Sequence, residues 1–373
     1  MHKIRVFSFV GLLGILLMAS SCTKTNSNPS IGNWIRREDL GGANRSEAVA
    51  FVVGNSGYVT TGLDFTFFST PGAQDSLGRY YDLWQYTPDP STDADKTGNW
   101  AGSTFGTETQ LDSFPGTPRS SAVAFNIGDT GYIGTGYDGS NALKDFWAYI
   151  PSLNKWEQMA DFPATARYDA VGFELGGKGY ITTGYTGGAY LSDTYQYDPV
   201  HDQWKNVASF PGTKCSQAVA FVSNDTTAYV CTGSNNGNTS ICNQLFAMEV
   251  VPGTNGDSIT WTQKRHISNF STESYDDLYA MVRTNAVAFV MGDFAYLTTG
   301  NNGAERADTW EYDIKNDLWY QETSYEGLAR EGAVAFTIGN RGFVGTGRNA
   351  TINTGQFSDF WEWFPTQPYN ALD

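Results

Sequence analysis

From Gly32 onward the chain alternates short apolar runs with glycine-, asparagine- and aspartate-rich punctuation. No stretch there keeps apolar residues at helical spacing. Runs such as Ala48-Val49-Ala50-Phe51 and Tyr58-Val59-Thr60 read as strands four to six residues long, and the polar segments between them as turns. The pattern predicts an all-β protein.

The runs repeat. A first phrase ends at Phe51, Phe125, Phe173, Phe221, Phe289 and Phe336, reading Ala-Val-Ala-Phe in five copies and Ala170-Val171-Gly172-Phe173 in the other. A second follows each: Gly57 to Gly62, Gly131 to Gly136, Gly179 to Gly184, Ala228 to Gly233, Ala295 to Gly300 and Gly342 to Gly347, five of the six with Tyr in second place and all with Thr-Gly at the end. Then comes an aromatic strand opened by Asp82, Asp145, Asp193, Asp308 or Asp359, with a degenerate Asn243-Gln244-Leu245-Phe246 in the fourth copy. A Trp closes the unit at positions 100, 156, 204, 261 and 319. The tightest spacing between copies is 47 or 48 residues.

Four strands in about 50 residues is the period of a propeller blade. These residues resemble the kelch repeat: Arg before strand A, a glycine-terminated strand B, Tyr in strand C and Trp in strand D, with Thr-Gly here in place of Gly-Gly. The resemblance covers nearly all of residues 33–373 and implies a six-bladed β-propeller. A WD40 ring is disfavoured because no Trp-Asp dipeptide occurs. The sixth unit has no closing Trp, and a spare Trp34 precedes the first. The N-terminal segment is therefore expected to supply strand D of the last blade and to close the ring.

Composition fits this reading, with 15% aromatic, 17% charged and 41 glycine residues. The N-terminus is different. Lys3 and Arg5 precede an apolar run from Val6 to Met18 and the small residues Ala19-Ser20-Ser21 before Cys22. This resembles a secretory signal over 1–21 ending in a lipobox, with Cys22 acylated and 22–32 a polar tether. The expected location is the cell envelope, at the outer membrane, facing periplasm or surface. Losing Lys3 and Arg5 moves 23 basic residues to 21 against 39 acidic ones, from −16 to −18. That balance argues against nucleic acid and against docking on anionic headgroups, leaving the lipid as the membrane attachment.

Strand connectivity puts the starts of A and C and the end of B on one face. That face also receives three long segments, Leu63 to Tyr81, Ala101 to Pro118 and Thr262 to Val282. They carry Phe65, Phe67, Phe68, Tyr80, Tyr81, Tyr275 and Tyr279, together with Lys264, Arg265, His266 and Phe270. Aromatics on such loops suit sugar faces or protein hot spots, or cap one another. The tether should enter on the opposite face.

Arg45, Arg119, Arg167, Arg283 and Arg330 each lie three residues before a strand-A Ala. As a ring they could clamp a carboxylate or sulfate. Kelch-like sialic acid mutarotases act on acidic sugars, but no motif specific to them is matched. The fourth copy lacks both this Arg (Cys215) and the Asp of strand C (Asn243), and that joint loss favours an intrablade ion pair.

Other chemistry is sparse. The copper chemistry of galactose oxidase, whose propeller kelch-like chains also resemble, is disfavoured because the two His past the signal, His201 and His266, fall on opposite faces. Asp93, Asp95 and Thr97 resemble the opening of a calcium loop, but Thr104 stands where the bidentate acid belongs. No other cofactor is expected. Cys215, Cys231 and Cys242 all lie in the fourth copy, where Cys215–Cys242 or Cys231–Cys242 would make a staple and leave one thiol over.

The leading expectation is a lipid-anchored binding module presenting the loop-rich face to a glycan or protein partner. One alternative is an enzyme acting on a sugar or sugar acid, epimerase- or mutarotase-like, with Glu47, Asp169 or Glu331 as general acid/base. Another is a structural subunit of an envelope assembly.

Overall fold

The computed structural model describes residues 31–64, 78–93, 96–102, 111–254, 257–272, 276–352 and 355–372. The signal-like segment, Cys22 and most of the tether lie outside the described residues.

Six four-stranded antiparallel sheets form a six-bladed propeller. The chain begins with β1 (Ile31–Arg37). Blade 1 is β2 (Val49–Val53), β3 (Ser56–Thr60), β4 (Leu83–Thr87) and β5 (Asn99–Gly102). Blade 2 is β6 (Val123–Ile127), β7 (Thr130–Gly134), β8 (Phe146–Ile150) and β9 (Lys155–Met159), with one 3-10 turn at Pro151–Leu153. Blade 3 is β10 (Val171–Leu175), β11 (Lys178–Thr182), β12 (Thr194–Asp198) and β13 (Gln203–Val207). Blade 4 is β14 (Val219–Ser223), β15 (Thr227–Cys231), β16 (Leu245–Val251) and β17 (Ser258–Gln263). Blade 5 is β18 (Val287–Met291), β19 (Phe294–Thr298), β20 (Thr309–Asp313) and β21 (Leu318–Glu322). Blade 6 is β22 (Val334–Ile338), β23 (Arg341–Gly345) and β24 (Phe360–Pro368), completed by β1 in the order β1-β24-β23-β22.

The inner strands β2, β6, β10, β14, β18 and β22 pack each against the next and close the circle. Their period-2 alternation explains why. In the first phrase the two small residues (Ala and Ala, or Ala170 and Gly172 in blade 3) face the axis and line a section of the central channel of about 180 Å³, while Val and Phe are buried toward the blade interfaces. Small residues on one side let six strands converge; large ones on the other fill the wedges between blades.

In four blades the strand-A Phe (Phe51, Phe125, Phe289 and Phe336) seats on the backbone of the next blade. A Cβ at Gly131 would meet the Phe51 ring at 2.1 Å, and one at Gly57 would meet Phe336 at 2.6 Å. The repeat glycine opening strand B is thus a close-approach position. Alanine stands there in blades 4 and 5, as Ala228 and Ala295.

Ring closure occurs where the spare Trp indicates. Trp34 of β1 pairs with Trp363 of β24 and is fully buried, with Trp363 at 4.9 Å and Tyr325 at 5.0 Å between ring centroids. Arg37 fastens the same strand to blade 1. Its Nε donates to Glu362 at 2.7 Å, and its terminal nitrogens donate to the carbonyls of Thr92, Asp93 and Lys96. Arg341 shares Glu362 and reaches the Asp89 carbonyl. The ends of the chain are thereby joined by a ladder, an aromatic cluster and a buried charge network at one seam.

Candidate functional site: the channel mouth on the loop-bearing face

The Arg positions resolve first. In five blades the guanidinium grips the Asp that opens strand C through both carboxylate oxygens; for Arg45 and Asp82 both contacts are 2.6 Å. Arg119–Asp145, Arg167–Asp193, Arg283–Asp308 and Arg330–Asp359 repeat it. Each Arg also donates to the carbonyl of the strand-B Thr, from Thr61 to Thr346. Those threonines have φ of 58° to 64°, a left-handed conformation that is rare for a β-branched residue; Thr232 of blade 4 shares it at 61° with Cys215 in the place of the Arg, so the repeat's backbone path sets it rather than the guanidinium. The motif Asp-x-Trp has a local reason too: the indole N–H of Trp84, Trp147, Trp310 and Trp361 donates to the Asp two residues earlier.

All five guanidinium side chains are 0% exposed. Their donors are used inside the blade, so the ring of arginines is a set of fasteners and offers no face to a carboxylate or sulfate ligand. Burial alone would raise the pKa of Asp145, Asp308 and Asp359, but the bidentate hydrogen bonds and charge of their arginines outweigh it and hold all three below the usual range.

Two of the loop aromatics are likewise interior. Tyr80 is fully buried under the Arg45 guanidinium, 4.2 Å from ring centroid to Cζ, and Tyr279 is buried with its hydroxyl accepting from the Trp319 amide at 2.9 Å. A tyrosine clamped by its own scaffold leaves no ring face for a partner. Tyr81 is half-buried against the blade 1–2 core. Phe65, Phe67, Phe68 and Tyr275 lie outside the described residues, as does Asp95. Around the calcium-like turn, the carbonyls of Asp93 and Lys96 point at Arg37, and Thr97 donates to Glu38 at 3.2 Å. The cation that these carbonyls face is a guanidinium. His201 pairs with Asp198 at 2.9 Å, and His266 stacks on Phe270 at 3.9 Å. Cys215, Cys231 and Cys242 are buried free thiols.

What surrounds the channel mouth is a different set of residues, one turn beyond the arginines. Glu47, Ser121, Asp169, Gln217, Asn285 and Gly332 occupy equivalent places in the six blades, all with φ of 50° to 63°. Their peptide groups form a closed circle: Ser121 N–H donates to Glu47, Asp169 to Ser121, Gln217 to Asp169, Asn285 to Gln217, Gly332 to Asn285 and Glu47 to Gly332, at 2.8 to 3.2 Å. A second circle runs outside it. The strand-B glycines, Gly62 through Gly347, each donate to the carbonyl at the Arg position of the next blade at 2.7 to 2.9 Å. Those glycines have positive φ, and a Cβ at Gly62 would lie 2.8 Å from the Ser46 carbonyl, so glycine is required there.

Inside the circle is a cavity of about 150 Å³ lined by Glu47, Ser121, Asp169, Gln217, Asn285 and the first alanine of each strand A. Ser121 donates to Glu47 at 3.0 Å. Among the described residues, neither Glu47 nor Asp169 is paired with an arginine. Burial, then the nearby Glu47 charge, pushes the Asp169 carboxyl up to about 7, only partly offset by a hydrogen bond to Ser121. Glu331 differs: Arg348 pairs with it at 2.9 Å.

Flanking the mouth, each blade displays two side chains on a bridge between the residue after the Arg position and the residue after Thr-Gly. In blades 2 and 3 these make an aromatic ladder. Tyr137 lies 4.9 Å from Tyr168, Tyr168 5.6 Å from Tyr185, and Tyr185 4.6 Å from Tyr190, all half-buried. Blades 4 and 5 present Ser216, Ser234, Thr284 and Asn301 instead. The ladder escapes sequence reasoning because it belongs to no repeated phrase; the signal is a Tyr directly after the strand-B Gly in two consecutive units.

Comparison with known proteins agrees with this architecture. Residues 166–211 match the kelch motif family model. No curated protein sequence matches the chain. A solved structure of YjhT superposes with a TM-score of 0.65 at 14% identity, covering 87% of this chain and 95% of that one, a likeness of fold. The chain is a six-bladed β-propeller bearing a kelch motif.

Proposed function

We propose that this propeller is a binding module that holds a glycan at the channel mouth of its loop-bearing face. The observation that carries the reading is the pairing, on one rim, of the ladder Tyr137–Tyr168–Tyr185–Tyr190 with the arginine-free carboxylates of Glu47 and Asp169. Aromatic faces suit the apolar faces of sugar rings, and carboxylates and amides suit hydroxyls. The cavity inside the circle, about 150 Å³, is well under the size of a typical ligand pocket, so the sugar ring would lie across the tyrosines and send one substituent inward. With Glu331 matched by Arg348 and the Asp169 carboxyl pushed up to about 7, the charge at the cavity is small and acidic in sign, which suits neutral or amino sugars better than sugar acids. Lipid anchoring at Cys22 in the envelope fits the same picture. β1 starts at Ile31 opposite Pro368, at the end of blade 6 away from the mouth, so the site would face away from the lipid.

The test is a thermal-shift screen against neutral, amino and acidic sugars. A ligand at 100 times its dissociation constant stabilises by about 2.7 kcal/mol. The expected result is a shift with neutral or amino sugars, with affinity falling about tenfold in Tyr185→Ala, the ~1.4 kcal/mol of one interface tyrosine. No shift with any sugar sinks the glycan reading and moves the search to a protein partner by pull-down from the native envelope.

One observation favours a second reading, catalysis on the bound sugar: Asp169, with a carboxyl near neutrality at the mouth, suits a general acid/base. Product analysis on any sugar that binds separates the two, since a binding module returns it unchanged.

A further inference from the structure

Blade 4 breaks the rule of the other five. Cys215 stands where they have Arg, and Asn243, preceded by Cys242, where they have Asp. The fastening between the start of strand A and the start of strand C is therefore missing, yet the two segments still run side by side. Thr213 donates through its hydroxyl to the Ile241 carbonyl at 2.9 Å and through its amide to the Gln244 side chain at 3.3 Å. Asn235 from the intervening loop donates to the Lys214 carbonyl at 2.7 Å. Between these contacts the thiols of Cys215 and Cys242 meet in a hydrogen bond, 2% and 4% exposed, in the same apolar cluster as Val230, Phe210 and Phe246. Cys231 packs in the neighbouring cluster, with Tyr229, Leu245 and Tyr312 toward blade 5.

We propose that Cys215 and Cys242 form a disulfide that replaces, in blade 4, the Arg–Asp fastener of the other blades. Cys231 stays a thiol. The reaction is exchange with a small disulfide such as oxidised glutathione. The Cys242 thiolate attacks one sulfur of the oxidant and expels one glutathione thiolate, giving a mixed disulfide. Cys215, deprotonated, then attacks the Cys242 sulfur and expels the second. Two protein thiols are oxidised, one glutathione disulfide is reduced to two thiols, and the two protons end on the products. The hydrogen bond that Cys215 gives lowers the pKa of Cys242, which makes Cys242 the first nucleophile, while burial pushes the Cys231 thiol up to about 12 and keeps it inert.

The experiment equilibrates the full chain with oxidised glutathione, quenches with acid, alkylates under denaturing conditions and maps the peptides. The expected result is a Cys215–Cys242 peptide about 2 Da lighter than its two thiols, with Cys231 fully alkylated. Reductant then lowers the melting temperature of the wild type and of Cys231→Ser by a few degrees and leaves Cys215→Ser unmoved. Full alkylation of Cys215 and Cys242, or a bridge that includes Cys231, overturns the proposal. The mapping uses the wild type, so it discriminates between these outcomes even if Cys215→Ser fails to fold.

Discussion

The Arg45 guanidinium sends two hydrogen bonds to Asp82, one to Thr61 and one to Ala43, all within its own segment of the ring. Its removal leaves a carboxylate buried with, among the described residues, the Trp84 indole as its remaining side-chain donor. Arg45→Ala should therefore cost about 3–5 kcal/mol, whereas Arg45→Met with Asp82→Leu costs much less, because no charge is then stranded. Denaturation midpoints of the two variants check this. The pair is legible in the sequence through one blade's joint loss of both partners. The same logic makes a pH prediction at Asp169. Its folded carboxyl titrates near 7 against about 4 when unfolded, so between those values the folded state holds the extra proton and stability falls as pH rises. Glu47 and the Arg348-paired Glu331 are the charges that face it. Asp169→Asn removes the penalty: the melting temperature should rise at about pH 8 and stay nearly unchanged at about pH 4. Equal effects at both would show that the carboxyl is not perturbed.

At the scale of strands, β1 carries the closure. Trp34→Ala leaves a hole between Trp363, Tyr325 and Phe289 and should cost about 3–5 kcal/mol. Deleting residues 33–39 should lower the melting of the whole ring in one transition, and an unchanged melting temperature would separate closure from stability. Closure is legible because strand D is marked by a Trp, so a unit without one and a Trp without a unit can be matched by counting. The loops are not. Tyr80 and Tyr279 look like ligand contacts in the sequence because an aromatic in a long segment carries no sign of direction. Burial under Arg45 in one case and against Trp319 in the other is a tertiary fact, and periodicity encodes only what repeats. The tyrosine ladder escapes for the converse reason, since Tyr137 and Tyr185 follow a repeated Gly without being part of its phrase.

The molecule as a whole separates what holds it from what it shows. Formal charge is −16, and the five buried arginines that precede strand A are each matched by an Asp, so the charge that reaches outward is mainly acidic and the mouth shares that sign. The two circles of hydrogen bonds around the mouth use peptide groups alone. Glu, Ser, Asp, Gln, Asn and Gly hold the six equivalent places of the inner one, and the circle closes through all of them. Mutation can therefore rewrite this rim one blade at a time without disturbing the frame beneath. In evolutionary terms, such a ring decouples inheritance of the scaffold from inheritance of its specificity, and a designer could rewrite the six places with residues that tolerate a left-handed backbone, changing Glu47, Ser121 and Asp169 together because they interact.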